Sequence, residues 1–324
     1  MTRILVSDLV KRDFASRLEA AAPSLEIVAL DKDGKVDGPN DSFDAVFLSP
    51  DMFFGAARHL FGYLERPVKW FHTSSAGVDH PAFQRVMQRG VRLSNGGGTQ
   101  AKPIAQWTLM FMLAAAKGLR PWLDKQEDKE WKSHESDELT GRVCGIIGLG
   151  AIGLEIARLA KAFEMQTVGV RRSPAPAANL DRVLPVGALD DLLEASDFVV
   201  VAAPLNEQSR HMLGEREFAL MKPTAWLLNV GRGAIVREAE LVKALADGQI
   251  AGAALDVFET EPLPEDSPLW TMPNVYVTPH NSGSSPYSLE RAVEVFAQNL
   301  ERFVADGSLL TEVRMTDLAV SQSG

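Results

Sequence analysis

Cysteine occurs once in the 324 residues, at position 144, so no internal disulfide framework is available. Its setting, Val143-Cys144-Gly145-Ile146-Ile147, is an apolar run, and the thiol reads as a packed core side chain rather than a nucleophile. Positive charge is also in short supply, with 33 Lys and Arg against 43 Asp and Glu for a net charge of -10. Displacing counterions from a phosphate backbone needs clustered cations, so nucleic acid is not expected as a partner. No long hydrophobic run is present. The greasiest stretch, residues 104–116, contains Gln106 and Thr108 and falls short of the ~20 residues a membrane-spanning helix needs. It reads as a buried helix, and no membrane contact is expected. The opening residues Met1-Thr2-Arg3-Ile4-Leu5-Val6-Ser7 enter a strand-like run at once, without the core and cleavage site of a secretion signal, which implies a cytoplasmic protein. Histidine is scarce, and His59, His72, His80, His134 and His211 show no ligand-like pairing, so no metal site is expected.

What is present is the pattern of an α/β protein. At a typical ~150 residues per domain the length suggests two domains. Short β-branched runs alternate with longer amphipathic stretches, as in parallel sheets covered by helices. Strands are expected at 4–6, 45–48, 68–71 and 91–93, then at 143–147, 167–170, 198–201, 226–229 and 275–277. Between the two series lie Asn95-Gly96-Gly97-Gly98-Thr99, read as a hinge, and a helix over about 103–117. Near the end, Leu289, Val293, Phe296 and Leu300 recur at helical spacing within 285–304.

The chemistry-bearing motifs fall in the second series. Gly148-Leu149-Gly150-Ala151-Ile152-Gly153 follows an apolar strand and opens a helix, the context that turns a common glycine string into a dinucleotide-binding signal. Gly148 permits the tight turn, Gly150 lets backbone approach a pyrophosphate, and Gly153 allows helix and strand to pack closely. At the end of the next strand, where an acid would accept the ribose hydroxyls of NAD, stand Arg171, Arg172 and Ser173. Two guanidinium groups and a hydroxyl suit a 2'-phosphate, so NADP(H) is preferred and NAD(H) remains possible. Further on come Asn229-Val230-Gly231-Arg232-Gly233, Asp256-Val257-Phe258-Glu259-Thr260-Glu261-Pro262 and Thr278-Pro279-His280-Asn281-Ser282-Gly283. A 2-oxo acid presents a carboxylate and a carbonyl oxygen that gains charge as hydride arrives. Arg232 offers a planar fork for both, His280 a proton for the alkoxide, and Glu261 a carboxylate that fixes the imidazole tautomer and favours its cation.

In order and spacing these motifs resemble the D-isomer-specific 2-hydroxyacid dehydrogenase family, and within it the NADPH-dependent glyoxylate and hydroxypyruvate reductases. The resemblance implies two Rossmann-like domains: a dinucleotide-binding doubly wound parallel sheet over 99–284, and a flavodoxin-like substrate domain over 1–98 completed by 285–324. It implies catalysis by Arg232, Glu261 and His280. It adds Ala151, Ile152, Ala203, Pro204, Ser209, Val230, Gly231 and Asp256 to the cofactor contacts, with Asp256 receiving the nicotinamide carboxamide. In Thr73-Ser74-Ser75-Ala76-Gly77-Val78-Asp79, it makes the N–H groups of Ala76 and Gly77 a grip for the substrate carboxylate beside Arg232. It also implies a homodimer through the helix carrying Trp107, Leu109, Met110, Phe111 and Met112. Gln106 and Asn281-Ser282 depart from the common pattern. Three alternatives stay open: an NAD-dependent D-2-hydroxyacid dehydrogenase, a phosphoglycerate-type dehydrogenase, and a dinucleotide-sensing corepressor-like binding protein.

Overall fold

The computed structural model describes residues 1–53 and 55–315; Phe54 and residues 316–324, the end of the expected substrate domain, lie outside them. The chain divides into two compact units, Met1–Gln100 with Ser285–Gly324, and Ala101–Ser284. It begins with β1 (Thr2–Ser7), α1 (Asp8–Ala21), β2 (Leu25–Leu30), β3 (Phe43–Leu48), α2 (Ala57–Tyr63), β4 (Val68–Thr73), α3 (Pro81–Gln88) and β5 (Arg92–Asn95). The second unit follows as α4 (Ala101–Lys117), α5 (Leu119–Glu127), β6 (Val143–Ile147), α6 (Ala151–Ala162), β7 (Gln166–Val170), β8 (Arg182–Leu184), α7 (Leu189–Ala195) and β9 (Phe198–Val201). It continues through α8 (Glu215–Leu220), β10 (Trp226–Asn229), α9 (Glu238–Ala246), β11 (Gly252–Leu255) and β12 (Val275–Val277). The chain then returns to the first unit with α10 (Ser288–Ala305) and β13 (Glu312–Val313).

In the first unit the strand order is β13-β5-β4-β3-β1-β2, parallel except for β13. Without β13 this is the flavodoxin-like order. Both faces of the sheet are apolar, so successive residues of one strand feed opposite cores. Ile4, Val6, Ala45, Phe47 and Trp70 join α1 and α10 on one face, while Leu5, Val46, Leu48 and Phe71 join α2 and α3 on the other. Phe296 of α10 stacks on Phe47 and Trp70, with ring centroids at 4.5 and 5.1 Å. The glycine loop read as a hinge is stitched down within this unit: Gly96 N donates to Ser75 O at 3.0 Å, and Thr99 donates to Gly96 O through both N and Oγ1.

The second unit orders its strands β12-β11-β10-β9-β6-β7-β8, all parallel, which is the doubly wound dinucleotide-binding arrangement extended by one strand. The same alternation divides its core. Cys144, Ile146, Phe198 and Val200 pack under α4 and α6, while Ile147, Val199, Val201 and Leu227 pack under α7, α8 and α9. Burial pushes the Cys144 thiol up to about 12, which keeps it protonated and inert.

One buried group in the first unit makes stability depend on acid. The His72 side chain lies among Phe47, Trp70 and Phe296, its Nδ1 is 2.7 Å from Ser94 Oγ, and its Nε2 has no partner. Burial pushes its imidazole down from 6.5 to about 3. Between those values the unfolded chain binds a proton that the folded chain refuses, so stability falls as pH falls, by about 1.4 kcal/mol per pH unit for this group. Above ~6.5 the group contributes no slope. Urea unfolding of His72→Gln from pH ~6 to ~4 is expected to lose stability less steeply than wild type, by about one proton. Equal slopes would rule this origin out.

Candidate active site

The expected cofactor and catalytic residues lie in the segments that follow the carboxyl ends of parallel strands of the second unit, the end where open α/β sheets bind ligands. Gly148 turns the chain at φ +99°, and a Cβ there would lie 2.6 Å from Ala203 Cα, so the turn after β6 and the bend after β9 touch backbone to backbone. Gly150 caps α6 with no side-chain bond, and a Cβ at that position would meet nothing within 4 Å. Among the described residues, the Ala151, Ile152 and Gly153 amides have no acceptor, since the first helical bond is Leu154 N to Gly150 O at 2.9 Å. Open space above unpaired N–H groups at a helix N-terminus fits a dinucleotide pyrophosphate.

The residues after β7 divide in role. Arg171 Nη2 donates to Ala175 O, closing its own loop, and Arg171 Nε is buried without a partner. Arg172 and Ser173 are exposed, and no partner is seen for the Arg172 guanidinium among the described residues. Arg171 thus closes its own loop, and Arg172 stands exposed beside it. Ser209 is turned inward: its hydroxyl donates to Pro204 O at 2.7 Å and accepts from Asn206 N at 2.8 Å. These bonds make Ser209 a brace for residues 204–209.

The Arg232 turn is built by Asn229, the last residue of β10. Asn229 Oδ1 accepts from Gly231 N, and Asn229 Nδ2 donates to Arg232 O, both at 3.1 Å. Val230 continues the ladder through Val201 O, and Arg232 Nη1 donates to Gly231 O at 2.8 Å. A Cβ on Gly233 would lie 1.8 Å from the Phe258 carbonyl carbon, so only glycine lets the arginine turn lie against the loop after β11. That loop carries Glu261, whose Oε1 accepts from Phe258 N at 3.0 Å and whose Oε2 lies 2.7 Å from His280 Nδ1. A carboxylate has no proton to give, so Nδ1 is the donor and Nε2 is left for other chemistry. His280 holds φ +51°, a left-handed conformation in which histidine is among the better-tolerated residues.

The His280 loop hangs on Asp256. The carboxylate is buried and accepts from Thr278 Oγ1 at 2.6 Å, Asn281 N at 2.9 Å and Ser282 N at 2.9 Å, while the Asp256 carbonyl accepts from His280 N at 2.8 Å. Asp256 thus holds the loop that carries His280. Trp107 of α4 donates to Thr278 Oγ1 at 3.1 Å, so this side chain supports the site from within its own unit.

Comparison with known proteins then decides the class. Residues 109–282 match the family model "D-isomer specific 2-hydroxyacid dehydrogenase, NAD binding domain". The chain belongs to the D-isomer-specific 2-hydroxyacid dehydrogenase family. Among its relatives is the glyoxylate reductase of Thermococcus gammatolerans, 36% identical over 238 residues, covering 71% of each chain. The D-3-phosphoglycerate dehydrogenase of Methanocaldococcus jannaschii is 31% identical over 316 residues, which are 97% of this chain but only 59% of that one. The NADPH-dependent glyoxylate/hydroxypyruvate reductase of Sinorhizobium meliloti, solved with NADP and sulfate, aligns with a TM-score of 0.79 at 26% identity over 98% of this chain and 99% of that one.

Several features of this 2-hydroxyacid dehydrogenase were not foreseen from the sequence. His211, which showed no ligand-like pairing in the sequence, meets Glu259 at 3.0 Å through Nε2, and its N donates to Ala234 O at 2.8 Å. Glu259 N in turn donates to Glu238 Oε2 at 3.0 Å. Burial, and secondarily the charge of Glu259, raise the Glu238 carboxyl above its ordinary value. These contacts tie the arginine turn to the glutamate loop. In the first unit, Ala76 and Gly77 sit half-buried in the loop after β4. Among the described residues no cluster of His, Cys, Asp and Glu is arranged to hold a metal ion, and no helix is long and apolar enough to cross a membrane. Of the five apolar residues expected at a dimer contact, Trp107, Leu109 and Met112 belong to the core of their own unit, Phe111 is half-buried and Met110 is exposed. Further along, Leu119, Trp122 and Leu123 of α5 and Trp131 are among the exposed large apolar residues.

Proposed function

We propose that this protein reduces a small 2-oxo acid of the glyoxylate or hydroxypyruvate class to the D-2-hydroxy acid with NADPH. The observation that carries the reading is the 2.7 Å contact between Glu261 and His280, which orients Nε2 as the proton-delivering nitrogen. When bound, the reduced nicotinamide supplies the hydride. Arg232 pairs its planar fork with the substrate carboxylate and with the carbonyl oxygen as charge develops there. The N–H groups of Ala76 and Gly77 add neutral donors to the carboxylate, and the His280 imidazolium gives its Nε2 proton to the alkoxide, leaving a neutral imidazole whose Nδ1–H stays on the Glu261 carboxylate. Run backwards, neutral His280 takes the hydroxyl proton. Oxidation of NADPH, followed by its near-ultraviolet absorbance over a panel of 2-oxo acids, is expected to be fastest with glyoxylate and hydroxypyruvate. No oxidation with any of them would overturn the reading.

The preference for NADPH rests on Arg172 and Ser173 at the end of β7, where no acid stands, and the Sinorhizobium reductase with NADP bound supports it. Arg172→Asp is expected to weaken NADPH by about 1.5–3 kcal/mol, the worth of a charge-assisted contact, and to leave NADH nearly unchanged. Equal losses with both cofactors would count against the assignment. The exposed apolar side chains of α5 and Trp131 support a homodimer joined through the α4–α5 region. A monomer mass that does not change with concentration in light scattering would exclude it.

A further inference from the structure

We infer that Asn95 is a positioning residue for the carboxylate-binding loop, an inference that rests on the assignment of Ala76 and Gly77 to substrate binding. Asn95 ends β5, next to Thr73 at the end of β4. Its Nδ2 donates to Ala76 O at 2.8 Å, and its Oδ1 accepts from Gly97 N at 3.2 Å, so both ends of the amide are engaged. The backbone of Asn95 is anchored separately, its N donating to Thr311 O at 3.1 Å and its O accepting from Thr311 Oγ1.

The consequence lies in the geometry of one peptide plane. In a trans peptide the carbonyl of Ala76 and the N–H of Gly77 point in opposite directions from the same plane, so a bond that holds the carbonyl also aims the N–H. Glycine at 77 offers that plane little resistance of its own to rotation. Among the described residues neither the Ala76 nor the Gly77 N–H has an acceptor, and the buried Ser74 hydroxyl of the same loop has no partner either. Donors held outward with nothing inside the protein to receive them are what an anion-binding loop requires. Asn95 supplies the hold from behind. Aspartate at this position would keep the acceptor for Gly97 but place an oxygen against the Ala76 carbonyl, removing only the contact that sets the plane.

Asn95→Asp and Asn95→Ser are compared with Thr311→Val, which removes the Oγ1 bond to the Asn95 backbone and leaves the Asn95 side chain alone. The readouts are KM and kcat for glyoxylate, the inhibition constant of oxalate, the Kd of NADPH and the Tm. Both Asn95 variants are expected to raise the glyoxylate KM and the oxalate constant by roughly tenfold, the effect of losing one aligned donor, with the NADPH Kd unchanged. Thr311→Val is expected to keep KM within about twofold, as for a bond outside the binding loop. Unchanged KM in both Asn95 variants, or equal rises in all three proteins, overturns the inference. A wild-type chain inert towards every 2-oxo acid overturns the parent reading and this inference with it, whereas an active wild type with unaffected Asn95 variants overturns this inference alone.

Discussion

Replacing His280 by Asn is expected to lower kcat for 2-oxo acid reduction by ~10²–10⁴, the usual contribution of a positioned general acid, with NADPH affinity nearly intact. Asparagine is chosen because the residue sits at φ +51°, where Asn is tolerated and a truncation to alanine would add backbone strain to the chemical loss. The loop should keep its shape, since Asp256 grips it through Thr278 and through the N–H groups of Asn281 and Ser282. What disappears is the only nitrogen in the Glu261 to His280 pair that faces away from the carboxylate. Single-turnover kinetics with saturating NADPH isolate that step. Near-normal turnover across the active 2-oxo acids would place the proton donor elsewhere and end the mechanism proposed for this site.

Arg232→Lys is expected to cost ~10²–10³ in kcat/KM, comparable to removing one preorganised donor from an oxyanion site. Lysine keeps the charge and loses the fork, so it cannot hold the carboxylate and the developing oxyanion at once in a fixed plane. The turn itself survives the change: Asn229 holds it through the backbone of residues 231 and 232, and Gly233 packs on Phe258 whatever side chain stands at 232. Because the arginine serves both ground state and transition state, KM should rise and kcat fall together. A rise in KM with kcat untouched would mean that Arg232 only binds and stabilises no developing charge.

The fold was legible where apolar strand residues carry β-branches, as at β1 and β9, and less so elsewhere. β11 reads Gly-Ala-Ala-Leu and has no strand propensity of its own; it is a strand because β10 and β12 flank it and helices cover it. β8 and β13 are three and two residues long and are defined by their neighbours. The site divides in the same way. Arg232, Glu261 and His280 stand in local strings whose chemistry can be named from residue type. What holds them cannot, because it is made of contacts between strand ends distant in sequence. Asn229 looks like the end of a strand, His211 like a loop histidine and Asn95 like the first letter of a glycine loop. Ser209 is similar: its bonds to Pro204 and Asn206 belong to a loop whose shape residue type does not reveal.

The second unit is one uninterrupted stretch, whereas the first is assembled from both sides of it. During synthesis, therefore, the aromatic stack of Phe47 and Trp70 waits for Phe296, and the edge of β5 waits for β13, until the whole intervening unit has emerged. At ~5–20 residues per second, that leaves the early sheet with an apolar face covered only by α1 and with an open edge at β5 for on the order of ten seconds or more. The dinucleotide-binding half of the molecule is complete before the half that begins the chain. Aggregation is thus expected to start from this early sheet, on the side that α10 later covers.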